Sequence, residues 1–157
     1  MGFFDRIKAT PKAEQHFNHA MDIYRQLRRY PEHSNQYRQQ LTDIASSCRL
    51  AIQLNDRHGD AHVLLANTYW LMFIDGYPRA GDLLPLTLAA AVIQHWADTP
   101  MRQYPWTKNV DNGKTIYSQV STAVRSHLPA QGDRSTLQQL EARHYAGAVS
   151  QDLIQQP

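Results

Sequence analysis

The segment Ala51-Ile52-Gln53-Leu54-Asn55-Asp56-Arg57-His58-Gly59-Asp60-Ala61-His62-Val63-Leu64-Leu65-Ala66-Asn67-Thr68-Tyr69 decides the fold. Both of its ends carry apolar residues at three- and four-residue steps, the period of an amphipathic helix. Its middle, Asn55 to Asp60, is polar and contains Gly59, so the chain turns there. Two helices joined by so short a turn lie side by side and antiparallel. Ala51 and Ala66 are small enough to let them approach closely. Leu65 and Tyr69 fill the space between.

Working upstream, Tyr37, Leu41, Ile44, Ala45, Cys48, Ala51, Ile52 and Leu54 keep the helical period, and Ser34 is placed to cap that helix. Before it, Ala13, Phe17, Ala20, Met21, Tyr24 and Leu27 mark a first helix. Thr10 and Pro11 read as its start, which leaves residues 1–10 as an N-terminal tail. Pro31 ends it, and Arg25, Arg28 and Arg29 sit in its last turns, where the helix dipole favours cations.

Working downstream, a third helix runs from about Asp60 to Asp75 and is apolar on most sides, so it lies centrally. Asp75-Gly76-Tyr77-Pro78 and Gly81 read as a break. Asp82 caps a fourth helix over about Leu83 to Ala97, with Pro85 in its first turn. Residues 99–114 hold Pro100, Pro105, Asn112 and Gly113 and read as a long loop. Ile116, Val120, Val124 and Leu128 mark a fifth helix from Thr115. Pro129 to Asp133 breaks the chain, a sixth helix follows from Ser135, and residues 150–157 fray. No alternating strand pattern appears. The expected fold is all-α: one domain over 1–157, about six helices, three antiparallel hairpins.

Helix pairs recurring at roughly 34 residues suggest internal repeats. The Ala51–Tyr69 segment resembles a junction of the tetratricopeptide-repeat family. There, one repeat closes on a small Ala, a Leu and an acidic turn, and the next opens with an Ala, a Leu-Gly/Ala pair and a Tyr. Ala51, Leu54, Ala61, Leu65, Ala66 and Tyr69 stand at the matching steps. Asp56 replaces the usual turn proline and His62 the usual opening Trp. The resemblance implies a right-handed stack of hairpins whose first helices line a groove for a partner's peptide or helix. It places Asn67 where the family often has an Asn that bonds the peptide backbone. Groove-facing positions would be Asn18, Asp22 and Arg25 on the first helix, Val63, Asn67 and Trp70 on the third, and Ser118, Thr122 and Arg125 on the fifth. The resemblance thus implies a non-enzymatic protein-binding adaptor. Paired lysines that would clamp a terminal carboxylate are missing, although Arg25 or Arg125 can pair an acidic residue.

The chain has 157 residues, 42% of them hydrophobic, and a net charge of +2. That length buries a real core. So even a balance argues against a protein built mainly to hold nucleic acid. The lone Cys48 rules out an internal disulfide framework and falls in step with Ile44, Ala51 and Ile52, as a buried hydrophobe does. No apolar run reaches the roughly 20 residues of a spanning helix, and Asp5 and Arg6 interrupt the apolar start. A cytoplasmic protein without membrane contact is expected. Three pairs leave ends to cover, so a second copy is a further possible partner.

The same residues allow other chemistries. His58/His62 and His16/His19 have helical spacing, but a metal needs three or four ligands, so no metal or other cofactor is expected and these histidines read as surface residues. Arg28/His33 and Arg57/His62 share a spacing that resembles the catalytic motif of small HEPN-fold ribonucleases, in which His moves a proton and Arg steadies phosphate. This makes a helical ribonuclease or RNA-binding bundle the alternative function. Tyr24, Arg25, Arg28, Arg29, Tyr30, Tyr37 and Arg38 form the best nucleic-acid candidate, and the Met101–Lys108 loop a candidate contact surface. No phosphate loop, nucleophile elbow or obvious carboxylate pair is present, so no catalytic residue is assigned.

Overall fold

A computed structural model describes residues 3–99 and 107–127, with side chains from Pro11 onward. All regular structure among these residues is helical. Helix α1 spans Phe3–Gln26 and ends in a 3-10 turn, Leu27–Arg29; α2 spans Asn35–Leu54, α3 Gly59–Ala80, α4 Leu84–Asp98 and α5 Val110–His127. The expected sixth helix, the break before it, the frayed end and most of the Met101–Lys108 loop lie outside the described residues.

Side-chain contacts give the helix directions. Arg38 Nε, early in α2, donates to Asp75 Oδ2, late in α3, at 2.9 Å, and Arg49 Nη1 donates to Tyr69 Oη at 3.3 Å. These two helices are therefore antiparallel, as the opening segment requires. Along α1 and α3 the order runs the same way: mid-α1 meets the start of α3, where His58 Nε2 donates to Glu14 Oε2 at 2.8 Å, and the end of α1 meets mid-α3, where Asn67 Nδ2 donates to Tyr24 Oη at 3.2 Å. At the start of α5, Lys108 N and Asn109 N donate to Asp60 Oδ1. At its end, His127 meets Phe73 and Tyr77 of α3. The odd-numbered helices thus run one way, and α2 and α4 return between them. Partners on α1 and α3 stand 44 and 43 residues apart, and those joining α3 to the start of α5 stand 48 and 49 apart. Both intervals exceed the roughly 34 of the repeat pattern.

The core has α3 at its centre. Every residue from Gly59 to Ala66 is buried, and Leu41, Ile44, Leu86, Ile93 and Trp96 from α2 and α4 join them in the core at 1% exposure or less. Ser34 caps α2 as expected, by accepting from Tyr37 N. At α4 the cap position is Leu83, without a side-chain cap bond, and Asp82 one residue earlier accepts from Leu84 N.

Three boundaries differ from the sequence reading. Residues 3–10 are not a tail, because α1 runs through Pro11, whose missing N–H costs one backbone bond rather than the helix. The expected break at Asp75–Pro78 is helical to Ala80. There Asp75 is tied to Arg38 and Tyr77 packs on His127, so tertiary contacts outweigh the poor propensities of Gly76 and Pro78. Gly81, at φ +66°, closes α3 with its N–H on the Tyr77 carbonyl. The long loop ends at Asn109 rather than 114, with Asn112 and Gly113 inside α5. Gly113 belongs there because the Trp96 ring lies against it: a Cβ would overlap Cη2 of Trp96.

Candidate functional site

The parallel course of α1, α3 and α5 leaves a cleft of about 200 Å³ between them. Phe17, Met21 and Tyr24 form one wall, Val63, Leu64 and Asn67 the floor, and Asn112, Thr115 and Ile116 the other wall, with Asp60 and Asn109 closing one end. The spacing on each helix is three or four residues, so each contributes a single face.

Asp60 organises the closed end. It is buried, and its Oδ1 accepts from Lys108 N at 2.9 Å and Asn109 N at 3.1 Å. One carboxylate in the first turn of α3 thereby fixes where α5 begins, since two backbone donors just before that helix find their acceptor on it. His58 secures the same turn. Its Nδ1 accepts from Ala61 N at 3.1 Å, which leaves Nε2 to carry the proton donated to Glu14. Gly59 admits Thr107 so closely that a Cβ there would overlap the Thr107 side chain.

Across the floor, the Asn67–Tyr24 hydrogen bond spans from α3 to α1. The Asn67 Oδ1 acceptor and second N–H remain for other partners. Among the described residues no Lys or Arg lines the cleft, and the one acid that does already holds two backbone amides. What it offers a ligand is apolar surface with the neutral donors and acceptors of Asn67, Asn109, Asn112, Thr115 and Tyr24. Such groups suit main-chain amides better than phosphates or metals.

Of the nine residues placed on the groove by resemblance, Val63 and Asn67 line this cleft. On α1 the wall lies one position earlier than Asn18, Asp22 and Arg25. Those three are exposed, with Arg25 paired to Asp22 at 3.1 Å. Trp70 is half-buried, its ring 5.6 Å from Phe73. Ser118, Thr122 and Arg125 are exposed on α5, where Arg125 reaches Thr122 at 3.5 Å. Phe17, Met21, Tyr24, Asn112, Thr115 and Ile116 were missed as lining residues. The apolar stripe of each helix was legible, but not which edge of it the neighbours leave uncovered.

The histidines need correction. His58 and His62 are buried, not superficial. His62 Nε2 donates to the Asp56 carbonyl at 3.0 Å, and burial pushes the ring down to about 3. It keeps a neutral imidazole, 5.6 Å from His95, with no surface to offer a substrate. The Arg57/His62 pair therefore lacks an accessible proton carrier. His33, at φ +68°, places Nδ1 2.7 Å from Asp75 Oδ1 in a cluster with Arg38 and Arg79. Among the described residues no group of three His, Cys, Asp or Glu is placed to hold a metal. Burial pushes the Cys48 thiol up, away from the thiolate that nucleophilic chemistry needs.

The Arg-Tyr cluster separates into two kinds of residue. Tyr37 is buried, Tyr24 bonds Asn67, and Tyr30 packs on the core. Arg38 is held by Asp75, whereas Arg28 and Arg29 are exposed. The tyrosines are thus taken up by the fold rather than arrayed for base stacking. No helix among the described residues is long and apolar enough to cross a membrane. Comparison with models of known protein families, with curated proteins and with solved structures gives no match to this chain.

Proposed function

We propose that the chain is a non-enzymatic α-helical interaction module, tetratricopeptide-like in the order of its hairpins, that takes a peptide or helix of a cytoplasmic partner protein in the α1–α3–α5 cleft. One observation carries this reading. The first helix of each successive pair contributes one face to a common cleft, apolar at its walls and furnished with neutral amides and hydroxyls. Apolar surface supplies affinity, and convergent amides orient a polypeptide backbone. A second copy of the chain is the further partner this reading allows. The ribonuclease reading has less support, since His62 is sealed in the core and no cation among the described residues lines the cleft.

The test is affinity capture from the native lysate with wild type, Asn67→Ala and Thr115→Arg. Thr115 is exposed, so its arginine fills the cleft without entering the core. Circular dichroism checks each fold. A protein captured by wild type and lost with both variants is the expected result. Capture indifferent to both, or nucleic acid in place of protein, overturns it.

A further inference from the structure

The cleft does not stop at Asn67. One turn further along the same face of α3 stands Leu71, half-buried, and then Ile74, which is 46% exposed. One turn on from Tyr24, at the end of α1, stands Arg28, with Arg29 beside it. One turn on from Thr115 and Ile116 on α5 comes Gln119, with Ser126 beyond, both polar and exposed. The closed end is shut by Asp60 and Asn109. The opposite end is therefore an open, shallow continuation: apolar floor, basic wall at the end of α1, and on α5 the polar Gln119 and Ser126 with Arg125 and His127 in the last turn.

That basic wall is not used up by the fold. Among the described residues Arg25 is paired with Asp22, and Arg38 and Arg79 with Asp75, whereas Arg28 and Arg29 make no ion pair. Glu32 is the nearby exposed acid in the chain direction. The carbonyl ends of three parallel helices also face this end. Each carries about half a negative charge, which the two full guanidinium charges in the 3-10 turn that follows α1 offset on their own side.

Resting on the cleft reading above, the geometry points to a ligand of defined polarity. It is an amphipathic segment of a partner protein whose apolar side chains fill the cleft and cover Ile74, and whose Asp or Glu side chains lie at the end that meets Arg28 and Arg29. The apolar stripe and the cations adjoin, so one short segment engages both. Single-stranded RNA is the competing ligand for two exposed arginines, but the neighbouring tyrosines are bonded or buried, and stacking surface is what an RNA site adds to charge.

The experiment is selection from a displayed library of random peptides on the full-length chain, on Arg28→Glu/Arg29→Glu, on Ile74→Asp and on the cleft variant Thr115→Arg. All four positions are exposed, so the fold is kept. Labelled oligouridylate is titrated in parallel. Wild type is expected to enrich peptides with apolar residues at regular intervals and acids gathered at one end. Synthetic copies should bind the double variant about five- to tenfold more weakly, the effect of losing exposed ion pairs, and added salt should shrink that gap. Ile74→Asp should weaken all of them. Enriched peptides that depend on Thr115 but carry no acidic bias overturn this inference and leave the cleft reading standing. No enrichment over an unrelated helical protein overturns both. Oligouridylate binding lost in the double variant, without acid-bearing peptides, assigns the arginines to nucleic acid instead.

Discussion

The two ends of α3 are held by different physics. At the amino end, Gly59, Asp60, Ala61 and His62 are all buried. Their polar groups are satisfied one by one: Asp60 by two backbone amides, His58 by Glu14 and Ala61 N, His62 by the Asp56 carbonyl. At the carboxyl end, Asp75 gathers His33, Arg38 and Arg79 from exposed or half-exposed positions, and Ile74 beside it faces solvent. The first end depends on close fit and the second on charge. A fitted, dry end closes the cleft rigidly. An ionic end with Ile74 exposed leaves it open and tolerant of change.

The sharpest way to break this contrast is at the closed end. Gly113→Val drives a branched side chain into the fully buried Trp96 ring and is expected to cost about 3 kcal/mol, read as a lowered urea midpoint. A loss below 1 kcal/mol would mean the fit is looser than described. Next comes Asp60→Ala, which strands the Lys108 and Asn109 amides. A loss of about 2 kcal/mol is expected, with faster hydrogen exchange at those two amides and little change at Gly81.

Acid separates the two ends by window. His62 titrates near 6.5 when unfolded but is pushed down to about 3 in the fold. Between those values the unfolded state holds a proton that the native state refuses, so stability falls as pH falls. From pH 7 to pH 5 the loss is about 2 kcal/mol, and His62→Gln should flatten that slope. Asp75 behaves differently. Its burial favours the neutral acid, but hydrogen bonds from Arg38 and His33 outweigh this and hold it below the ordinary 3.8. Its contribution persists above that value and disappears as pH falls through its lowered pKa. An acid titration unaltered by His62→Gln would break the assignment. At the open end Asp75→Asn is expected to cost about 1–2 kcal/mol, because Arg38 loses a charged acceptor. Smallest of all, Ile74→Ser should change stability by less than about 0.5 kcal/mol. A larger loss would show that Ile74 is covered within the chain and not free to receive a partner.

Most helices were legible because each depends on neighbours in sequence. Ser34 caps α2 wherever α2 packs, and the period of Tyr37 to Ile52 selects its buried face without help. The misread boundaries share one cause. Pro11, Gly76, Pro78 and Gly113 all weaken a helix locally, and reading them as breaks is sound when nothing opposes them. In the folded chain Trp96 requires a glycine at 113, and Asp75 and Tyr77 anchor the stretch around Gly76 and Pro78. The lining of the cleft was legible on one helix of three. Val63 and Asn67 sit on the central helix, where the resemblance was strongest, whereas on α1 the exposed neighbours Asn18, Asp22 and Arg25 were named in place of Phe17, Met21 and Tyr24. A hundred degrees of helix rotation separates adjacent residues, and the edge of the stripe is set by where the next helix lies.

The sequence by itself determined the all-α class, the antiparallel α2–α3 pair and the central place of α3, since apolar period and short turns act over a few residues. Only the tertiary structure decided that the histidines of the α3 start are buried, that Asp60 fixes the beginning of α5, and that three separated helices share one cleft. Those features join residues more than forty positions apart. Burial at that range depends on which helices meet, and no local pattern encodes the meeting.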